Sequence, residues 1–465
     1  MRYPHRPLIS AIGSWVQESQ SKQRWHTPGH KGHAPENAEF LQWAWDVTEV
    51  GHLAPRMDRM DPLAQSQALM AKSFGVDRTW YSVQGATLPV TAAMLAAFPL
   101  GAEIAVDRNA HRSVLSGLVL GGFRPRWIYP DVLGGGMTLP VAADHVQAQL
   151  AGTHGVVLTH PTYDGLTRSL KPWIEAAHCL GIPVVVDEAH GAHFLGRVGF
   201  PPSAIEGGAD LVAHGVHKTE PTLTQTGLLH LQGGLVEDAE VERWWSMLST
   251  SSPSYLLLAS LDHWQASRNG SDNQDRWQRW ASSMREAWKE WGRLGVPIIQ
   301  SWWEERGFRA DPAKLTLWGD GERLANLLAR HGWVEKFDAR TVTLILHPDQ
   351  NLEVLDAAIR DLLAKGDIFY QIPPNPQTPF HDAPVILSPR DVLGRRARWS
   401  ELESVAGLVA ARAVTPYPPG IPAILPGERI TGQWLEKLKR WPTENGVWIE
   451  GMDRDGQKGM WVIDE

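Results

Sequence analysis

Short apolar runs recur through the first half of the chain, and most of them stop abruptly at polar residues. Ile104-Ala105-Val106 runs into Asp107, Val156-Val157-Leu158 into Thr159, Pro183-Val184-Val185-Val186 into Asp187, and Leu211-Val212-Ala213 into His214. Brief β-branched runs bounded by Gly or Pro read as strands buried on both faces. Trp80–Val83, Trp127–Tyr129 and Leu228–Leu231 add further strands. Between them, helical spacing predicts helices over 61–74, 90–98, 112–121, 141–151 and 171–180, with an earlier one around Leu8–Trp15. Strands alternating with helices in this way predict an α/β fold with a parallel, doubly wound sheet. Ligands bind such sheets beyond the carboxyl ends of the strands. His111, Tyr163, Asp187 and Lys218 all follow strands and are expected to meet in one crevice.

The second half changes character. Trp277, Trp280, Met284, Trp288 and Trp291 recur at three- and four-residue steps along 273–292, a stripe best explained by core packing. Strands at Leu315–Trp318 and Val342–Leu346 with helices over 321–331 and 352–363 predict a small α+β unit. Prolines thicken over 372–390, suggesting a crossing segment, and Thr415–Pro422 is a stiff, extended loop. No internal repeat is present.

Composition narrows the function classes. A chain of 465 residues suggests two or three domains, and 43% hydrophobic with 21% charged residues is globular rather than disordered. The net charge of −8 comes without a basic run, which argues against a nucleic-acid partner. Cys179 is the single cysteine, so neither an intrachain disulfide nor a Cys-built metal site is possible. No apolar run resembles a signal peptide or reaches the roughly twenty residues of a membrane span, so no membrane partner and a cytoplasmic location are expected. His26-Thr27-Pro28-Gly29-His30-Lys31-Gly32-His33 is histidine-rich, but Pro28-Gly29 breaks the spacing of a helix-borne metal site. It reads as a cofactor- or substrate-facing loop, and no metal is expected.

The chemistry concentrates between Ile182 and Gln225. A neutral lysine attacks an aldehyde to form a Schiff base, and a carboxylate beside a pyridine nitrogen keeps that nitrogen protonated. Lys218 and Asp187 suit those two needs. His111 can stack on one face of the ring, and Ala189 can close the other, since alternate strand residues share a side. Gly85-Ala86-Thr87 opens a helix whose free N–H groups suit a phosphate, although Thr87 also fits a plain N-cap. The set matches pyridoxal 5′-phosphate. Taken singly, each part has an ordinary explanation: a lone lysine is usually solvated, and Asp187 with His190 fits an ion pair. Asp187-Glu188-Ala189-His190 also spells a helicase box, but no G-x-x-x-x-G-K-[ST] loop exists to cradle a nucleotide. His190 and His193 lack a third zinc ligand.

Seven segments taken together, HTPGHKG (26–32), RNAHRSVLSGLVLGG (108–122), THPTYDGL (159–166), VVDEAHGAHF (185–194), HKTEPTLTQTG (217–227), TSSPSYLLLASLD (250–262) and TPYPPGIPAILPGERIT (415–431), resemble the Orn/Lys/Arg decarboxylase family, in family order. The resemblance implies a fold-type-I, pyridoxal-phosphate-dependent transferase-like large domain with a parallel-rich sheet, plus smaller α+β C-terminal domains. It suggests an N-terminal arm over 1–50, the cofactor-binding domain over 51–265, a small α+β domain over 266–370 and a C-terminal decarboxylase-type domain over 371–465. The form is the shorter one, without an N-terminal wing domain. Lys218 is then the Schiff-base lysine, Asp187 the partner of the ring nitrogen and His111 the stacking ring. Gly85, Ala86, Thr87 and His217 lie at the phosphate, and Ala189 and His190 border the ring. Ser251 and Ser252 reach a neighbouring subunit's cofactor, so a homodimer or higher homo-oligomer is implied. An amino acid displaces Lys218, loses its α-carboxylate as CO2 and leaves as an amine; the implied substrate is arginine, lysine or ornithine. An aminotransferase, an oxoamine synthase and a non-catalytic cofactor-binding relative are the alternatives.

The sequence also departs from the family pattern. Gly215 stands where a phosphate-binding Ser is usual, Gln84-Gly85-Ala86-Thr87-Leu88-Pro89 replaces the usual phosphate turn, Gly51–Arg56 replaces an acidic patch, and Leu408 replaces a common Arg. Glu188, Asp164 and Glu403 have the sign needed to read a substrate's distal charge.

Overall fold

The computed structural model describes residues 5–19, 28, 31, 43–50, 53, 61–134, 137–376, 383–417, 421–444, 448–454 and 457–464. Most of the 26–33 loop, nearly all of 51–56 and the Pro418–Gly420 stretch lie outside the described residues.

Seven strands form the central sheet: β1 (Arg78–Ser82), β2 (Glu103–Asp107), β3 (Arg124–Ile128), β4 (Val156–Thr159), β5 (Val184–Asp187), β6 (Leu211–His214) and β7 (Gly227–Leu231). Their order is β1-β7-β6-β5-β4-β2-β3. The strands β6, β5, β4, β2 and β3 pair in parallel, as the alternation predicts. The strand β7 departs from that expectation, pairing antiparallel with both β6 and β1. The link from β6 to β7 carries a 3-10 turn at Val216–Lys218 and no crossover helix, and without a crossover two adjacent strands run antiparallel.

Strand alternation builds two cores. Val156, Leu158, Val184, Val186 and Val212 point to one face, where they meet α1 (Pro7–Ser19), α2 (Pro62–Phe74), and residues further along the chain such as Trp173 and Trp264. Val157, Val185, Leu211 and Ala213 point to the other, against α3 (Thr87–Ala97) and α4 (Arg112–Gly121). The helix expected over 141–151 shrinks to α5 (Val146–Leu150), because His145 takes φ 59° and interrupts the right-handed turn. The chain continues through α6 (Lys171–Cys179), α7 (Asp238–Leu248) and α8 (Tyr255–Arg268).

The tryptophan stripe is internal. Trp277, Trp280, Met284, Trp288 and Trp291 of α9 (Ser271–Arg293) are all buried. They cover an antiparallel sheet of β8 (Lys314–Trp318), β9 (Lys336–Phe337) and β10 (Thr341–Ile345), ordered β8-β10-β9, with α10 (Gly321–Leu328) and α11 (Leu352–Leu363). A separate core gathers Val405, Ile424, Ile430, Met460 and Val462 near the C-terminus, where β11 (Ala397–Glu401) pairs with β12 (Gln457–Ile463). No helix among the described residues is long and apolar enough to cross a membrane.

Candidate active site

The parallel strands end level with one another: Thr159 of β4 lies opposite Asp187 of β5, which lies opposite Ala213 of β6. Past these ends opens a cavity of about 460 Å³. Its wall includes Gly85, Ala86, Thr87, His111, Asp187, Ala189, His190, His217 and Lys218, so most of the residues singled out from sequence share one space.

Asp187 is buried, and burial pushes its carboxyl up from the usual range, opposed by the Lys218 charge and by the Ala189 N–H, which donates to Oδ1 at 3.1 Å. Burial likewise pushes Lys218 down, opposed by Asp187 and Glu335. A depressed lysine facing a buried acid is the pairing expected of a nucleophilic amine and its electrostatic counterpart. The Lys218 Nζ lies 3.1 Å from Nε2 of His190.

His111 caps α4: its Nδ1 accepts from the Ser113 N–H at 3.2 Å, which leaves Nε2 carrying the ring proton. Burial, aided by Lys218, lowers its pKa to about 4, so at neutral pH it is an uncharged flat ring. His217 donates from Nδ1 to the Thr226 carbonyl at 2.7 Å. Thr87 is not the N-cap: Ala86 occupies that position and makes no side-chain capping bond, so Thr87 already belongs to the first turn. The start of α3 therefore has no side-chain cap where it meets the cavity.

Gly85 has φ 62°, a left-handed turn that brings the chain into α3, and its N–H donates to the Gln225 carbonyl at 2.7 Å. Gly215 is crowded: a Cβ there would lie 3.0 Å from the Ala189 carbonyl oxygen and 3.2 Å from Cδ of Lys218. The missing Ser hydroxyl is thus linked to the path of the Lys218 stem. Thr224 and Gln225, together with Gln84, offer other polar groups on the same wall.

Several sequence candidates lie elsewhere. Ser251 and Ser252 are exposed and are not part of the cavity wall, although the Thr250 N–H donates to Gln84 Oε1 at 3.1 Å. Glu188 is fully buried and held by His214, Ser203 and Ala204. Asp164 pairs with Lys336 at 3.0 Å, and Glu403 is exposed on a 3-10 turn near the C-terminus. None of these three acids lines the cavity. Tyr163 does, and its hydroxyl donates to Glu335. His193 belongs to the interior, where Nε2 faces Asp311 at 3.0 Å.

Sequence reading missed Lys314, which lies within an apolar run and is fully buried, with Nζ 3.0 Å from Nδ1 of His190. It also missed Ile421, which reaches the cavity from the C-terminal part of the chain. The one signal for Lys314 was a charged residue opening the strand Lys314-Leu-Thr-Leu-Trp318.

The profile of the Orn/Lys/Arg decarboxylase major domain matches residues 6–305, and that of the family's C-terminal domain matches 389–442. An arginine decarboxylase of Bacillus anthracis is 30% identical over 488 residues, covering 99% of this chain and 97% of its own. The constitutive lysine decarboxylase of Escherichia coli is 23% identical, covering 91% of this chain and 75% of its own. In fold, the lysine decarboxylase LdcF of Francisella novicida superposes with a TM-score of 0.80 at 18% identity, covering 99% of this chain and 81% of its own. By the match across its major and C-terminal domains, the chain belongs to the Orn/Lys/Arg decarboxylase family.

Proposed function

We propose that this chain is a pyridoxal-phosphate-dependent decarboxylase that takes arginine in preference to lysine or ornithine, converting it to the amine and CO2. The observation that carries the reading is the joint placement of buried Asp187 and Lys218, with the neutral ring of His111 and the uncapped start of α3, around one cavity. The choice of arginine is supported by the full-length likeness to the arginine decarboxylase of Bacillus anthracis.

The residues present fit the cofactor. A buried carboxylate pushed upward by desolvation gains from a cationic ring nitrogen placed against it. The start of α3 and His217 supply an anion site. When bound, pyridoxal phosphate supplies a carbonyl for an amine and a ring that withdraws the electron pair left as the carboxylate departs. Lys218 is the amine that holds the cofactor and gives way to the substrate. Asp187 keeps the ring nitrogen protonated. His111, uncharged, covers a ring face without competing for the proton. Glu335 does not line the cavity, but it accepts from the Tyr163 hydroxyl, which does, and its charge favours the Lys218 ammonium, so it is our candidate for reading a guanidinium. Ser251 and Ser252, exposed beside Gln84, remain suited to a second subunit's site, which supports a homodimer.

The test is turnover of arginine, lysine and ornithine by the purified chain loaded with pyridoxal phosphate, read as CO2 and as agmatine, cadaverine or putrescine. Arginine should give the largest kcat/KM. Absence of CO2 from all three by a chain that shows the visible absorbance of bound cofactor would overturn the decarboxylase reading. Lys218→Ala should lose that absorbance and turnover together.

A further inference from the structure

His190 stands between two lysines. Its Nε2 lies 3.1 Å from Lys218 Nζ, and its Nδ1 lies 3.0 Å from Lys314 Nζ. A neutral imidazole has one N–H and one lone pair, whereas an ammonium can only donate. With the ring neutral, the row holds at most one ammonium, and at least one of the two lysines is the amine. If Lys218 is the ammonium it donates to Nε2, and Nδ1–H donates to the Lys314 amine. If Lys314 is the ammonium it donates to Nδ1, and Nε2–H donates to the Lys218 amine. The two arrangements differ by two short proton transfers through one ring.

We propose that Lys314 is the proton acceptor for Lys218, working through His190 as a relay. The Lys218 ammonium gives its proton to Nε2, Nδ1 gives its proton to the Lys314 amine, and one positive charge has moved from the cavity wall into the interior. Lys314 is thus a positioning residue: it does not line the cavity but decides whether Lys218 is a nucleophile. The inference rests on Lys218 being the reacting amine.

The surroundings of Lys314 suit an acceptor. It has no exposed surface, and burial lowers its pKa to about 8. The only hydrogen bond its Nζ makes among the described residues is to His190. Asp311 lies near enough to raise its pKa, yet Asp311 Oδ1 is taken by His193 and the Ala313 N–H, and Oδ2 makes no hydrogen bond among the described residues. Glu335 and Asp164 also favour the charged form and Lys218 opposes it; Asp164 is itself paired with Lys336. The Tyr163 ring stands over the group, 5.6 Å from Lys314 Nζ and 5.1 Å from Lys336 Nζ. The Lys314 stem packs on Gly165, where a Cβ would come within 2.6 Å of Cγ, so the side chain has little freedom to turn away. A plain structural lysine would be an expensive choice here, since an apolar side chain would fill the same space without desolvating a charge.

The test reads Lys218 in the full chain stripped of cofactor, so it does not depend on turnover. Trace acetylation by acetic anhydride, with peptide mapping, gives the fraction of Lys218 present as amine at each pH. In the unaltered protein the relay gives Lys218 an amine fraction that persists below its main titration. Lys314→Met removes the acceptor, and Lys218 labelling near neutral pH should fall about tenfold, equivalent to about one pKa unit. Lys314→Arg places a permanent donor on Nδ1, and Lys218 labelling near neutral pH should rise, with its titration moved to lower pH. In a His190→Phe background, Lys314→Met should change nothing further. Profiles for Lys314→Met that coincide with the unaltered protein would overturn the proposal. So would an undiminished effect in the His190→Phe background, which would indicate a field acting through space instead of a relay. If Lys314→Arg does not fold, the methionine and phenylalanine variants decide the matter alone. Loss of decarboxylation with this labelling pattern intact would count against the reaction and not against the relay.

Discussion

At the scale of single residues, protonation states decide what the cavity can hold. His217 shows how directly the hydrogen bonding fixes this. Because its Nδ1–H donates to the Thr226 carbonyl, the neutral ring has only a lone pair left at Nε2. A phosphate oxygen can be bound there only if Nε2 takes up a proton. Burial holds the free ring's pKa below its ordinary value, so anion binding must raise it. Affinity for pyridoxal phosphate should therefore fall as pH rises between the free and bound pKa values, by up to tenfold per pH unit. Tryptophan fluorescence titrations from acid to alkaline pH check this. His217→Asn should lose that proton's share of the slope, and equal slopes in the two proteins would show that His217 does not meet the phosphate. Glu335 offers a second prediction at this scale. Glu335→Gln should raise KM for arginine about tenfold, near 1.4 kcal/mol, with little change in kcat, because distal charge recognition is uniform binding. A fall in kcat at constant KM would instead place Glu335 with the proton chemistry.

At the scale of elements, the decisive feature is the turn that joins β1 to α3. Gly85 at φ 62° and Gln225 at φ 76° face each other there, linked by the Gly85 N–H to the Gln225 carbonyl. Gly85→Ala asks a residue with a Cβ to hold the left-handed region, which costs about 1 kcal/mol. Its nearest new contact, His217 Cε1 at 3.8 Å, is ordinary, so the loss is conformational and not a clash. Thermal unfolding should drop by about a degree or two. If the turn aims α3 at a phosphate, cofactor affinity should fall by more than that stability loss alone explains. Unchanged affinity alongside a lower melting temperature would separate the turn from the phosphate site. Elements like this one were largely legible in the sequence, because strand, turn and helix each carry a local signature. The β-branched runs marked β2, β4, β5 and β6, and the acid ending β5 and the lysine after β6 pointed to the cavity they share. The antiparallel β7 was not legible, since strand direction depends on the connection, and the link after His214 looks like any other loop. Lys314 stayed hidden for a different reason: its strand lies in a distant part of the chain, and only packing brings β8 behind His190. Glu188 misled because charge sign says nothing about which side of a strand end the carboxylate takes.

At the scale of the whole molecule, the site depends on a joint between the sheet and the C-terminal part of the chain. Arg108 follows Asp107 at the end of β2, and its guanidinium donates to the Pro422 and Ala423 carbonyls at 2.7 and 3.0 Å. It also faces Glu428 at 3.4 Å, with side-chain exposures of 14% and 4%. The neighbouring Ile421 is part of the cavity wall, so this joint holds one wall of the site in place. Arg108→Leu leaves Glu428 buried without its cation, and breaking such a pair typically costs about 3–5 kcal/mol. Calorimetry should show a lowered transition, and KM should rise as Ile421 loses its support, while the visible absorbance of bound cofactor persists because Asp187 and Lys218 are untouched. Adding Glu428→Gln removes the orphaned charge and should recover much of the stability. It should recover little of the KM, since the two carbonyl contacts remain absent. That split separates two roles of one arginine. The ion pair serves stability, and the carbonyl contacts serve the shape of the site. If the double variant regains both together, the joint acts through charge alone and Ile421 is held by other contacts.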